Sequence, residues 1–485
     1  MATAIFKSIN LHSNYHSRFT RNPKTVTKSN LVSHTPEPKL VITGGSTLSG
    51  HVGISGSKNS TLAILASTLC CSGTCKLNNV PNVSDTQKMC SILSSLGAEI
   101  EVYNGDIVVN TDGVGSVEPC LDEMKEIRGG FFVMGPLLAR FGEAIVGLPG
   151  GCDIGVRPVD LYVDGFRALG AAVEIRNGKV QAHAANGRGL VGAGRFHLDY
   201  PSVGATKTLM MAACMADGVT VLTNAAQEPE IIDLADFLNN SGASIEGDGT
   251  DKIIIRGKSH LHGSECTTGP DRIEAGTFLL AAAITRSGIL VSPVIPSQLL
   301  LLVDKLRAAG CRVTRMTLWR YRSFLISTIC ANIKNDLQGF DVKTGPFPGF
   351  PTDLQPQTMA LLTTCNGSSI IQETVFEKRM SHAHELCKLG ARIEVCGSRA
   401  LISGKNHGSC LRGCPVKATD LRGGMALVLA ALVAEGTTEI SGVTHIDQGY
   451  ENLELKLRGL GAYVQEFDSF ASMRTSSIVE ALHDS

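Results

Sequence analysis

Residues 147–161, GLPGGCDIGVRPVDL, place Cys152 directly after a Gly-Gly pair and five residues ahead of Arg157. Pro149, Gly150, Gly151 and Gly155 keep this stretch out of helix and strand. A partly exposed thiol beside positive charge is a usable proton donor or nucleophile, and Arg157 could supply that charge. A cysteine in a glycine-rich loop can equally be incidental. Other strings carry groups suited to anions. ISGSKNSTLAIL sets Lys58 and Asn59 at the start of an expected helix, where N–H groups and a cation suit a phosphate or carboxylate. Serine-rich caps also occur before helices that bind nothing. KEIRGGFFVMG puts Arg128 ahead of an apolar helix, and ATDLRGGMAL puts Asp420 and Arg422 ahead of another, a helix start suited to an anion. In PFPGFPTDLQPQ, Asp353 stands on a loop stiffened by prolines, and a fixed carboxylate is what a general base requires. A lone loop aspartate is also a common turn former. One thiol, one carboxylate and several cations suit acid–base chemistry on an anionic substrate.

These groups are far apart in sequence, so repeated secondary structure must assemble them. A helix end, a glycine and a β-rich run recur six times: SLGAEIEV, ALGAAVEI, NSGASIEG, AAGCRVTR, KLGARIEV and GLGAYVQE, at Gly97, Gly170, Gly242, Gly310, Gly390 and Gly461. Glycine just past a helix takes the left-handed conformation that ends it, and the alternating residues beyond suit a strand. Amphipathic helices lie upstream, for example over 159–169 and 299–309. Six α/β units of about 70 residues imply helices packed on sheets. The stretch 316–335, MTLWRYRSFLISTICANIKN, breaks the pattern: it carries the only tryptophan and little polar alternation. No GxGxxG follows a strand and opens a helix, which argues against a dinucleotide-binding domain.

A chain of 485 residues is long for one core, so two domains are expected. The net charge of −1 excludes a strong overall pull towards nucleic acid or an anionic membrane, and any anion site must be local. No run reaches the roughly 18 apolar residues of a membrane helix. The 15 cysteines are scattered, which reads as buried free thiols in a reducing compartment and not as a disulfide framework. Cys410 and Cys414 lack a second pair, and His382 and His384 stand apart from them, so no metal is expected. Residues 1–37 carry Lys7, Arg18, Arg21, Lys24 and Lys28 with many Ser and Thr and no acid before Glu37, the composition of an organelle transit peptide. Chloroplast and mitochondrion are not separable on composition.

The GGCDIGVRPVDL loop, the Lys-Asn pair, IRGG, SVGAT, FPTD, ETVFEKR and TDLRGG together resemble the enolpyruvyl transferases, and within them the group acting on UDP-N-acetylglucosamine. The resemblance covers about residues 39–467. It implies a two-lobed inside-out α/β barrel of six βαβαββ repeats, with 38–57 plus 270–467 in one lobe and 58–269 in the other. The tail 468–485 matches nothing interpretable. It also implies an addition–elimination reaction between phosphoenolpyruvate and UDP-N-acetylglucosamine without cofactor or metal, with Cys152 as acid, Asp353 as base and Lys58 as catalytic cation. Substrate contacts would come from Lys58, Asn59, Arg128, Arg157, Pro158, Val159, Asp160, Leu161, Ser202, Val203, Gly204, Asp353, Val375, Phe376, Asp420 and Arg422. Such chemistry favours the chloroplast as the compartment, with small molecules as the only partners. Two departures stand out. Tyr200 occupies a place that is usually basic, and Gln448 in HIDQGY replaces an arginine that would grip the pyruvate portion. The alternatives are the sister reaction on shikimate 3-phosphate, which lacks this cysteine loop, and a catalytically impaired binding protein.

Overall fold

The computed structural model describes residues 38–467 except 104, 152–153, 156–157, 185–188, 322–323, 333–335 and 409, with backbone alone over 316–332 and at 407. Residues 1–37 and 468–485, on which the transit-peptide and tail readings fall, lie outside the described residues. The architecture is α/β, as expected. All six repeat glycines have positive φ, from 82° to 108°. Each follows a helix: Ser84–Ser95, Asp160–Ala168, Pro229–Asn240, Leu300–Ala308, His382–Lys388 and Leu453–Gly459. Each precedes an edge strand: Glu99–Tyr103, Ala171–Arg176, Ser244–Glu246, Arg312–Tyr321, Arg392–Cys396 and Tyr463–Phe467.

Five four-stranded sheets share one plan, in which a parallel pair is extended by two antiparallel strands. In one of them Glu265–Thr267 runs parallel to Thr74–Asn78, followed by Asp106–Asn110 and Glu99–Tyr103. The sheet of Glu143–Gly147, Lys179–Ala184 and Ala171–Arg176 has three antiparallel strands among the described residues. Strands alternate buried and exposed positions, whereas Leu421–Ala431, Gln355–Leu362 and Arg272–Ile284 are buried on nearly every side. Sheets therefore lie outside and helices within. Among the described residues none of the sheets closes on itself, so "barrel" describes only this layering.

The stretch after Gly310 is regular despite its unusual composition. Arg312–Tyr321 and Phe324–Asn332 pair antiparallel, with a register shift between Thr317 and Trp319, and the second strand continues onto Gly288–Val294. Ladder hydrogen bonds come from the backbone, so pairing survives the loss of polar alternation. This long pair also accounts for the longest glycine-to-glycine interval.

Buried apolar residues gather in two clusters. One runs from Leu40 to Ile54 and from Ile273 to Val464, and the other from Leu62 to Leu261. Non-local pairing makes this possible: Lys39–Thr43 joins Thr437–Ser441 and Tyr463–Phe467, and Ser49–Gly53 joins Gly288–Val294. The chain passes between clusters at two segments that run side by side. Ser57 N–H donates to Gly269 O at 2.7 Å and Asp271 N–H to Ser55 O at 2.9 Å. Lys456 Nζ donates to Ser55 Oγ at 2.8 Å and to Glu274 Oε1 at 2.5 Å, pinning this crossing to the C-terminal helix. The 13 described cysteines are all free, but four of them, Cys120, Cys387, Cys396 and Cys410, are exposed; burial of the thiols is thus general only for those on core elements.

Candidate active site

A cavity of about 600 Å³ opens where the crossing segments meet loops from both clusters. Lys58, Asn59, Arg128, Pro158, Leu161, Ser202, Val203, Gly204, Asp353, Val375, Phe376, Asp420 and Arg422 all line it, as does Gln448. Cys152 and Arg157 lie outside the described residues, while Gly151 and Ile154 on either side of Cys152 are on the wall. Val159 and Asp160 are not. Val159 packs on the apolar cluster, and Asp160, the first residue of its helix, accepts Leu161 N–H at 2.9 Å.

Asp353 is the electrostatic centre. It lies in the single turn Thr352–Leu354, between Pro351 and the helix Gln355–Leu362. Arg379 Nη1 meets its Oδ1 at 2.8 Å and Arg422 Nη2 its Oδ2 at 3.1 Å, each arginine side chain being 3% exposed. Burial opposes ionisation, yet Arg422, Arg379 and Lys58 hold the carboxyl well below the usual carboxylate range. A carboxylate so held is a poor base until something else engages its arginines, a constraint that the loop's stiffness alone did not reveal.

Local sequence explains the other placements. Ser57 caps Lys58–Ser67 by accepting Ser60 N–H at 3.3 Å, so Lys58 starts the helix with its Nζ 3.0 Å from Asp85 Oδ2. Asp420 Oδ1 accepts N–H from Arg422 and from Gly423, both at 3.0 Å, and thereby aims the first turn of Leu421–Ala431 at the cavity. Arg128 and Arg379 flank the Phe376 ring, 5.8 and 5.3 Å from its centroid.

Sequence reading missed a second buried charge cluster on the wall. Arg272 reaches Glu230 with two bonds, 3.0 and 3.3 Å, Phe347 N–H donates to Glu228 Oε1 at 3.1 Å, and Lys207 Nζ donates to Asn59 O at 2.9 Å. Burial disfavours charge on Glu230, but Arg272 and Lys207 keep it below the ordinary value. A lysine inside the apolar run TKTLMMAA was the one available signal; its partners are distant in the chain. Arg379, too, belongs to the site and not merely to the scaffold.

Asp233, bonded to Ser60 Oγ beside this cluster, gives a pH prediction. Burial pushes its carboxyl up to about 6. A group that holds its proton more tightly when folded loses stabilising power as pH rises from its unfolded value of about 4 to its folded one. Asp233→Asn is therefore expected to gain stability relative to the parent as pH rises from about 4 to 6, with no further gain above. Urea midpoints measured across that range check it.

The profile of one protein family, EPSP synthase (3-phosphoshikimate 1-carboxyvinyltransferase), matches residues 42–457. The chain belongs to the EPSP synthase family. Family members similar to it include the UDP-N-acetylglucosamine 1-carboxyvinyltransferase of Synechocystis sp., 48% identical over 424 residues, 87% of this chain and 94% of that one. The protein of the same name numbered 1 in Staphylococcus epidermidis is 46% identical over 88% of this chain and 99% of its own. Among solved structures, the enolpyruvyl transferase NikO of Streptomyces tendae superposes with a TM-score of 0.78 at 25% identity, over 89% of this chain and 99% of that one. EPSP synthase of Acinetobacter baumannii shares the fold, with a TM-score of 0.67 at 16% identity over 89% and 100% of the chains. No helix among the described residues is long and apolar enough to cross a membrane, and no described cluster of His, Cys, Asp or Glu could hold a metal ion.

Proposed function

We propose that this family member transfers the enolpyruvyl group of phosphoenolpyruvate to the 3-hydroxyl of UDP-N-acetylglucosamine and releases phosphate. The observation that carries the reading is the cavity itself. Arg379 and Arg422 hold Asp353 there, with Lys58 and Arg128 on the same wall, in a chain nearly half identical to relatives named for that reaction.

In the addition step the 3-hydroxyl oxygen bonds to C2 of phosphoenolpyruvate, Cys152 delivers a proton to C3, and the hydroxyl proton passes to Asp353. In the elimination step the Cys152 thiolate left by the addition takes a C3 proton, the C2–O bond to phosphate breaks with its electron pair leaving on the phosphate, and the alkene re-forms as the enolpyruvyl ether. Arginines that turn from Asp353 to an incoming phosphate or carboxylate would restore the carboxylate's basicity as the anion arrives. Carboxylate and cations so placed act on charge as it develops. The shikimate reading lacks support from the GGCDIGVRPVDL loop. Phosphate release from the purified protein with each acceptor tests the assignment, and release with shikimate 3-phosphate alone, or with neither, would overturn it.

Gln448 on the cavity wall favours a second reading, an impaired enzyme acting as a binder. Glutamine lacks the full charge and paired donors of arginine. Gln448→Arg is expected to lower the Michaelis constant for phosphoenolpyruvate by about ten- to a hundred-fold, the worth of one charged hydrogen-bonded contact. An unchanged constant would show that the site does not need the arginine.

We also propose import into the chloroplast stroma, on the transit-like composition of residues 1–37 and the chemistry proposed above. A fluorescent protein carrying these residues should accumulate in chloroplasts; signal in mitochondria or cytosol would refute this.

A further inference from the structure

A buried histidine lies behind the arginines that hold Asp353. His382 begins the helix His382–Lys388 and is 1% exposed. Among the described residues neither ring nitrogen has a hydrogen-bond partner, and the same is true of two buried atoms nearby, Asp420 Oδ2 and Arg379 Nε. The residues adjoin one another. Asp420 Oδ2 and His382 Cβ lie 2.6 and 3.0 Å from one point, where a Cβ on Gly423 would stand, and the charges of both Asp420 and Arg379 are felt by the imidazole.

Leaving a buried polar atom unpaired is costly, so these four require a reason. Their chemistry is complementary. A neutral imidazole has one N–H donor and one bare nitrogen acceptor, Arg379 Nε–H can only donate, and an ionised Asp420 oxygen can only accept. An imidazolium would turn a second N–H towards Arg379, so the neutral ring is the form that fits. Burial pushes the ring down to about 4 against the pull of Asp420 and of the Arg379 backbone.

We propose that His382 is a positioning residue that links Arg379 to Asp420 through buried water, and so fixes the two arginines that receive the anionic substrate. Asp420 spends its other oxygen on the N–H groups of Arg422 and Gly423, so tethering Asp420 steadies the turn that carries Arg422. Tethering Arg379 at Nε leaves its Nη1 on Asp353 at 2.8 Å. Guanidinium groups held in place beforehand lose less freedom when the anion binds.

The inference rests on the reaction proposed above, and its test separates the two. His382→Leu is expected to raise the Michaelis constant for phosphoenolpyruvate about tenfold, with kcat and the constant for UDP-N-acetylglucosamine little changed. His382→Asn, whose amide keeps a donor and an acceptor, should restore most of the loss. A wild-type constant in the leucine variant, or an asparagine variant no better than leucine, would overturn the link. Nitrogen-15 spectra of the parent protein at pH 7, with His382 assigned from the asparagine variant, should show one protonated and one bare ring nitrogen in a single tautomer. Two protonated nitrogens, or averaging tautomers, would overturn it as well. Should the parent release no phosphate with either acceptor, the reaction fails, and the spectra still decide the role of His382.

Discussion

Cys152→Ala is expected to lower kcat for phosphate release by about 10²- to 10⁴-fold, the range for removing a positioned proton donor. The reaction requires a proton on an alkene carbon, and water is too weak an acid to supply it at neutral pH. Gly151 and Ile154, which flank Cys152 in the sequence, both stand on the cavity wall. Glycines make that loop close-fitting: a Cβ on Gly150 would lie 1.8 Å from Lys125 O, so the approach tolerates no side chain. Alanine removes the donor without changing the backbone, so binding of UDP-N-acetylglucosamine should persist while turnover is lost. Stopped-flow phosphate release and equilibrium binding of the nucleotide measure the two separately. A rate close to the parent's would assign the proton to another group.

Asp353→Asn is expected to be nearly as damaging to turnover, again about 10²–10⁴-fold, and it should also destabilise the fold. Arg379 and Arg422 are both 3% exposed and both point their guanidinium at this carboxylate. Removing the charge from one side of a buried pair costs about 3–5 kcal/mol, because the partner stays buried without compensation. Two arginines share the loss here. Added phosphate should recover part of that stability by supplying the anion that the arginines lack, by mass action on the folded state. Thermal unfolding of parent and variant, with and without phosphate, provides the check. A variant as stable as the parent, or one indifferent to phosphate, would mean that the arginines are held by other contacts.

The sequence was informative where structure depends on neighbours along the chain. Six glycines ended helices and opened strands at the positions read, since a left-handed turn is a local steric demand that glycine meets at little cost. Ser57 and Asp420 cap their helices for the same local reason. The cavity residues were legible mainly through whole strings resembling a family. Spacing could not pair Asp353 with Arg422, 69 residues away, or Arg272 with Glu230, 42 residues away.

By itself, then, the sequence determined the repeat grammar, the α/β class and the residue types gathered for anion chemistry, because propensity, capping and apolar periodicity are short-range. Only the tertiary structure decided which charges face one another, that Asp353 is restrained by two arginines, and that Lys207, Glu228, Glu230 and Arg272 share the wall. The strength of a buried charge pair depends on separation and on the exclusion of water. Both are set by strands that meet across more than 400 residues, as when Lys39 lies between Ser441 and Phe467.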